Sequence, residues 1–260
     1  MSVDRGTNLL TMRDIGVRFG GIQALSGADI QVDEGDIAAI IGPNGAGKTT
    51  LLNVISGMVL PNDGTVLFDG QDISTQPPHK RARLGVVRTF QNLEVFSNMT
   101  VLENVMTGAH RLVEYGVLAS IFKSPGYHAG ERRLRELAID RLEFVGLADK
   151  AHHPAGDLPY GSQRLLEMAR AMAAKPKLLL LDEPAAGLNT KETGRLAEII
   201  LAMRDDYGIS IVLVEHDMDL IMEISNPITV LNFGSVITTG TPREVQTHPE
   251  VIAAYLGEDD

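Results

Sequence analysis

Residues 42–49 read Gly-Pro-Asn-Gly-Ala-Gly-Lys-Thr, between the apolar run Ile37-Ala38-Ala39-Ile40-Ile41 and a helical pattern starting at Thr50. Gly-x-x-x-x-Gly-Lys-Thr in that setting reads as strand, phosphate loop and helix. No other stretch restricts the fold as much, because it requires a buried strand that delivers an anion-binding loop straight into a helix. Glycines at 42, 45 and 47 let the backbone curl so that its N–H groups converge on a polyphosphate. The helix that follows turns its positive end toward the same anion. Lys48 supplies a point charge for the β- and γ-phosphates, and the Thr49 hydroxyl is a ligand for Mg²⁺. Gly42, Pro43, Asn44, Gly45, Ala46, Gly47, Lys48, Thr49 and Thr50 are therefore the candidate nucleotide-binding set.

The rest of the chain supplies a sheet around that loop. Residues 9–41 are strand-like, with tight turns at Gly20-Gly21 and Asp33-Glu34-Gly35-Asp36. Gly57 suits the end of the helix after the loop. Thr65-Val66-Leu67-Phe68 followed by Asp69-Gly70 predicts a hairpin over 64–73, and Pro77-Pro78 precedes a short basic helix at 79–83. From Thr100 to about Gly146 the pattern is helical, with Leu134, Leu137, Ala138, Leu142 and Val145 on one face. A second helix over 162–174 carries Leu165, Met168, Ala169, Met172 and Ala173 on one side. Then come Leu178-Leu179-Leu180-Leu181, a helix with Leu196, Ile199, Ile200 and Met203, and the run Ile211-Val212-Leu213-Val214. Unalternating apolar runs separated by helices imply a parallel sheet covered on both faces. The tail from 228 to 257 reads as short strands and a final helix. The expected layout is a single domain over 1–260. Its nucleotide-binding core takes about 1–99 and 175–260, and an inserted helical lobe takes about 100–174.

Composition narrows the function classes. The chain has 23 basic and 34 acidic residues, a net charge of −11, which argues against a broad nucleic-acid footprint. It has no cysteine, which excludes disulfides, zinc thiolates and thiol chemistry. No stretch approaches the roughly 18 apolar residues of a membrane span. The start, MSVDRGTNLL, has no signal-peptide pattern. The expectation is a cytoplasmic protein whose membrane contact is peripheral.

Asp182-Glu183 ends the leucine-rich strand, on the side of a sheet where ligands bind. Beside a phosphate loop the two carboxylates have separate tasks. Asp182 holds Mg²⁺, and Glu183 orients or deprotonates the water that attacks the γ-phosphate. The plain alternative is a helix cap before Pro184. GTPases carry an Asn-Lys-x-Asp base reader, and Asn189-Thr190-Lys191 is not that pattern.

Leu158-Pro159-Tyr160-Gly161-Ser162-Gln163-Arg164, which opens the second helix, resembles the Leu-Ser-Gly-Gly-Gln signature of ATP-binding-cassette ATPases. Gly161 falls on the family's second glycine. Pro159 sits on its Ser, Tyr160 on its first Gly and Ser162 on its Gln, so Pro159 offers no hydroxyl to a phosphate. The other family strings arrive in order. Gln91 in Arg88-Thr89-Phe90-Gln91 matches the loop that reaches Mg²⁺ and the γ-phosphate side. Ala186-Gly187-Leu188-Asn189 matches the D-loop, where Asn189 and Glu192 also spell a capping box. His216, after the strand 211–214 and Glu215, matches the switch histidine. Phe19 matches the aromatic that stacks on adenine, although a ring there is as easily core. His152-His153 has no partner at metal-ligand spacing and reads as solvated loop.

This resemblance covers about Leu10 to Gly257. It implies a P-loop α/β fold with a RecA-like parallel-sheet core, an N-terminal antiparallel β region and an inserted α-helical lobe. Finer strings are similar to the longer ATP-binding subunit of branched-chain amino acid importers: Arg88-Thr89-Phe90-Gln91, the segment around 111–140, Ala185 to Asn189, Glu215-His216-Asp217-Met218 and Ala254-Tyr255-Leu256-Gly257. The family's working unit implies ATP and Mg²⁺ as ligands and two cassettes packed head to tail. Catalytic Glu183, His216 and Gln91, with metal-side Thr49, Gln91 and Asp182, would face Tyr160, Gly161, Ser162 and Gln163 of the other cassette. Implied partners are a second, related but different ATPase subunit, two membrane permeases and, indirectly, a periplasmic binding protein, on the cytoplasmic face of the inner membrane. Two other classes stay open at this point. One is an ATP-gated scaffold that transports nothing, and the other is a stand-alone P-loop kinase.

Overall fold

The computed structural model describes residues 8–89, 95–112 and 125–256. They form two compact units. Unit 1 is Met1–Arg88, Lys177–Gly187 and Thr193–Asp260; unit 2 is Thr89–Pro176 and Leu188–Glu192.

Unit 1 carries two sheets. The antiparallel one is ordered β2-β1-β4-β5, from β1 (Asn8–Phe19), β2 (Ile22–Asp33), β4 (Asp63–Phe68) and β5 (Gln71–Asp72). Gly20-Gly21 closes the first hairpin, and Leu67 pairs with Asp72 across the Asp69-Gly70 turn, as the turn residues predict. The second sheet contains β3 (Ile37–Ile41), β6 (Val86–Arg88), β7 (Leu178–Asp182), β8 (Ser210–Val214), β9 (Ile228–Asn232) and β10 (Ser235–Gly240). Its order is β10-β9-β3-β8-β7-β6, parallel throughout except for β10. Every residue of β3, β7 and β8 is buried. In β3, Ala38 and Ile40 join one apolar cluster, while Ala39 and Ile41 join the other. That two-residue alternation is why these strands need apolar residues at every position.

The sheet order decides where the chemistry can be. β8 lies between β3 and β7, and all three run parallel, so their carboxyl ends share one edge. The loop after Ile41, the Asp182-Glu183 pair and the segment after Val214 therefore leave the sheet side by side.

Helix α1 (Lys48–Ser56) ends at Gly57, left-handed at φ 80°, as the sequence anticipates. Its last carbonyls are capped from outside. Arg81, on α2 (Pro78–Leu84), is fully buried and donates from Nη1 to Val54 O and Ile55 O, from Nε to Gln76 O at 2.8 Å, and from Nη2 to Ser74 O at 3.1 Å. A cation at a helix C-terminus also complements the helix dipole. The short basic helix is thus part of what holds α1 in place.

In unit 2 the predicted stretch from 100 to 146 is two described helices, α3 (Val101–Ala109) and α4 (Pro125–Val145), and residues 113–124 lie outside the described set. Thr100 and Glu103 form a reciprocal capping box on α3. On α4, Leu134, Ala138, Leu142 and Val145 are buried. Helix α5 (Tyr160–Ala173) starts two residues earlier than expected, because Pro159, at ψ 150°, fits the cap position and fixes the turn into it. α3, α4 and α5 pack against one another. The remaining helices are α6 (Thr190–Tyr207), α7 (Met218–Ile224), α8 (Pro242–Gln246) and α9 (Pro249–Leu256).

Candidate nucleotide site

The loop after β3 keeps its shape through backbone packing. Gly42, at φ 149°, lies against the Leu231 carbonyl, where a Cβ would collide. Gly47, at φ 106°, presses on Ala24 O and the Leu25 side chain, which an added Cβ would meet at 2.8 and 2.9 Å. Gly234 N donates to Ala46 O at 3.0 Å, tying the loop to the turn between β9 and β10. Lys48 is buried, and its Nζ donates to Gly42 O at 2.6 Å and Pro43 O at 3.0 Å.

A cavity of about 280 Å³ opens on this loop. Asn44 to Thr50 line it, together with Ile22, Gln23 and Ala24 of β2, and Glu183 and His216 complete it. The loop, Glu183 just after β7 and His216 two residues past β8 therefore meet, as the shared sheet edge requires. His216 Nε2 lies 3.2 Å from Glu183 Oε1. Glu183 is left-handed, with φ 49°, an uncommon conformation for a residue with a long side chain. Its N–H continues the β7–β8 ladder by donating to Val214 O at 2.8 Å.

Adjacent Asp182 has the opposite environment. It is buried, and its Oδ2 accepts from Arg88 Nη2 at 2.8 Å, with side-chain exposures of 7% for Arg88 and 4% for Asp182. Arg88 Nη1 also donates to Asn53 Oδ1 on α1 at 2.6 Å. One guanidinium thus ties β6, α1 and the end of β7 together. The sequence gives no sign of this pair, whose members lie 94 positions apart.

Not every predicted residue lines the cavity. Phe19 is half exposed, and Ile22, its partner across the hairpin, is among the lining residues. Gly42 and Pro43 serve through their carbonyls on Lys48. Gln91 lies outside the described residues.

Tyr160, Gly161, Ser162 and Gln163 form the first turn of α5 in unit 2. Tyr160 is exposed, and the Arg164 guanidinium stands 5.7 Å from its ring centroid. Gln163 Nε2 turns back to Leu158 O at 2.8 Å. Gly161 is buried against the Glu192 carboxylate, with no room for a Cβ. That carboxylate accepts from Asn189 N and Nδ2 at 3.0 and 2.7 Å, and Asn189 Oδ1 accepts from Glu192 N at 3.1 Å. The capping box spelled in the sequence exists, and it packs on the signature glycine.

For Mg²⁺, the Thr49 hydroxyl and the Asp182 carboxylate are hard oxygen donors of the type that ion prefers. Among the described residues no cluster of three or more His, Cys, Asp or Glu can hold a metal by itself.

Comparison with known proteins gives the same picture at the level of the whole chain. The family described as ABC transporter matches residues 25–186, and the one described as branched-chain amino acid ATP-binding cassette transporter matches residues 235–260. The chain is 45% identical to the high-affinity branched-chain amino acid transport ATP-binding protein BraF of Pseudomonas aeruginosa, over 96% of this chain and 98% of that one. It is 42% identical to the corresponding protein LivG of Escherichia coli over the same shares. A crystal structure of the ADP conformation of an ATP-binding cassette from an ABC transporter superposes with a TM-score of 0.84 at 32% identity, covering 96% of this chain and 99% of that one. A nucleotide-free cassette gives 0.83 at 33% identity, with the same coverage.

Proposed function

The chain belongs to the ATP-binding-cassette transporter family, and from that premise we propose that it is the ATP-binding and ATP-hydrolysing subunit of an importer for branched-chain or related amino acids. The observation that carries the reading is the cavity of unit 1 where the phosphate loop, Glu183 and His216 meet. The match over 235–260 supports the cargo class. The similar proteins are named for transport, which leaves the scaffold and kinase readings without support.

The residues divide the work as follows. Loop N–H groups and the α1 N-terminus receive the phosphates. Lys48 exchanges its two neutral carbonyl acceptors for phosphate oxygens, which are stronger because they are charged. Thr49 and Asp182 would hold Mg²⁺, with Gln91 as the third candidate; the ion offsets phosphate charge when bound. Glu183 orients the attacking water and accepts its proton. His216, within hydrogen-bond reach of Glu183, contacts the γ-phosphate side. Phe19 stacks on the adenine ring.

Two cassettes pack head to tail, so that residues 160–163 of each close on the nucleotide of the other. The γ-phosphate is the differential contact that favours closure, and its loss reopens the pair. The second cassette is a related but different chain. Two membrane permeases receive the motion through the lobe near Gln91, and a periplasmic binding protein delivers cargo to them. Nucleic acid has no part in this cycle. Among the described residues no helix is long and apolar enough to cross a membrane, so the subunit sits peripherally on the cytoplasmic face of the inner membrane through those permeases.

Glu183→Gln tests the assignment. ATP binding is retained, and turnover falls by roughly 10²–10⁴-fold, the scale of a general base. Unchanged phosphate release would remove Glu183 from the mechanism.

A further inference from the structure

Glu215 directly follows the apolar run Ile211–Val214 of β8, yet it is only 5% exposed. A carboxylate buried there needs partners. Its two oxygens serve two different segments. Oε1 accepts the Ala185 N–H at 2.6 Å, in the turn that follows Glu183. Oε2 accepts the N–H groups of His216 at 2.8 Å and Asp217 at 3.4 Å. Among the described residues these donors are all backbone N–H groups, with no cation in the set. Glu215 does not line the nucleotide cavity.

We propose that Glu215 is a positioning residue for hydrolysis: its carboxylate staples the chain leaving β7 to the chain leaving β8 and so sets the spacing of Glu183 and His216. The proposal rests on the reading that those two residues carry the reaction. The Glu183 turn is the element in need of such a tie. Its φ of 49° is held when neighbouring contacts over-determine it. The turn's own bonds are Glu183 N to Val214 O and Ala186 N to Glu183 O, at 2.8 and 3.2 Å. Glu215 adds a bond from the histidine segment to the backbone of this turn, beside the side-chain contact of His216 Nε2 with Glu183 Oε1. Charge-assisted bonds to backbone N–H groups are short and about twice as strong as neutral ones, which suits a rigid spacer. Only a side chain with two acceptor oxygens meets both segments at once. An amide meets one with its oxygen and presents donors to the other.

The test is Glu215→Gln in the full chain, within the complex it purifies with. Three quantities are read: ATP affinity without turnover, kcat and KM for ATP, and thermal midpoint. The expected result is a kcat lower by about 10- to 100-fold, the range for small misplacements of reacting groups, with affinity and KM within about twofold. In single-turnover measurements, adding the change to Glu183→Gln lowers the rate by less than about twofold, because interacting sites do not add. Glu215→Asp, which is too short to reach both segments, shows the same split between kcat and KM. Full activity in Glu215→Gln overturns the proposal. So does a parallel fall of kcat, affinity and thermal midpoint, which marks a purely structural role. Unimpaired hydrolysis by Glu183→Gln overturns the underlying assignment instead, and the single variant alone distinguishes that failure.

Discussion

Helices α1 and α5 both begin at short loops that the sequence marks for anions, yet they commit their first turns differently. At α1, Gly42 and Gly47 are pinned by close packing, and the loop, Lys48 and Thr49 face a cavity. At α5 a proline caps the helix, Gln163 bonds back to Leu158 O, Arg164 sits under the Tyr160 ring and Glu192 closes on Gly161. One helix start is built to receive a ligand by itself. The other has its Gln163 side chain engaged locally and presents an exposed Tyr160. A helix N-terminus is therefore only a necessary part of an anion site. The geometry of the residues before it decides whether the amides are presented.

The buried ion pairs of the two regions differ in the same way. Arg164 and Glu167 are three positions apart on α5, a pair legible as helix spacing. Arg88 and Asp182 come from neighbouring strands whose residues lie 94 positions apart in the sequence, and they hold the nucleotide side together. Arg88→Met is the largest expected effect. It leaves Asp182 buried and uncompensated, and urea unfolding should show a loss of about 3–5 kcal/mol. A loss below about 1 kcal/mol would mean that water screens the pair and that the two regions are electrostatically alike.

Lys48→Ala comes next. Removing a charged hydrogen-bonding group of about 1.5–3 kcal/mol weakens ATP binding by roughly 10- to 150-fold, with little change in folding. Ordinary affinity by equilibrium titration would erase the distinction between the two helix starts. The smallest effect belongs to Gln163→Ala. Loss of its bond to Leu158 O costs about 1 kcal/mol of stability and leaves ATP binding by the isolated chain unchanged. A drop in that binding would show that the α5 start takes part in nucleotide capture without a second cassette.

Much of the fold was legible. The strand–loop–helix at 37–56, the hairpins at Gly20-Gly21 and Asp69-Gly70 and the buried strands 178–182 and 210–214 appear where local pattern put them. The start of α5 and the division of 100–146 were less so, since Pro159 moves a boundary and apolar spacing does not report a helix break. At the site, the loop and Glu183 were legible because their chemistry is contiguous in sequence. In the sequence Arg88 is one letter of the Arg-Thr-Phe-Gln string, and Arg81 is one charge in a short basic helix. Their partners are up to 94 positions away. For Glu215 a signal existed, a charged residue directly after the apolar run 211–214, but its acceptor role needs the partner segment in view. Phe19 is named by the string alone; the structure adds that Ile22, opposite it across the hairpin, lines the cavity.

The sequence by itself determined a triphosphate-binding loop on a parallel α/β sheet and the family that goes with it, because glycine freedom, apolar runs and the lysine act over a few neighbouring residues. Only the tertiary structure decided that β8 lies between β3 and β7, that Arg88 neutralises Asp182 and that Glu215 ties Ala185 to His216. Strand order and buried charge pairing join residues far apart along the chain, and no local pattern records which partner a buried group will find.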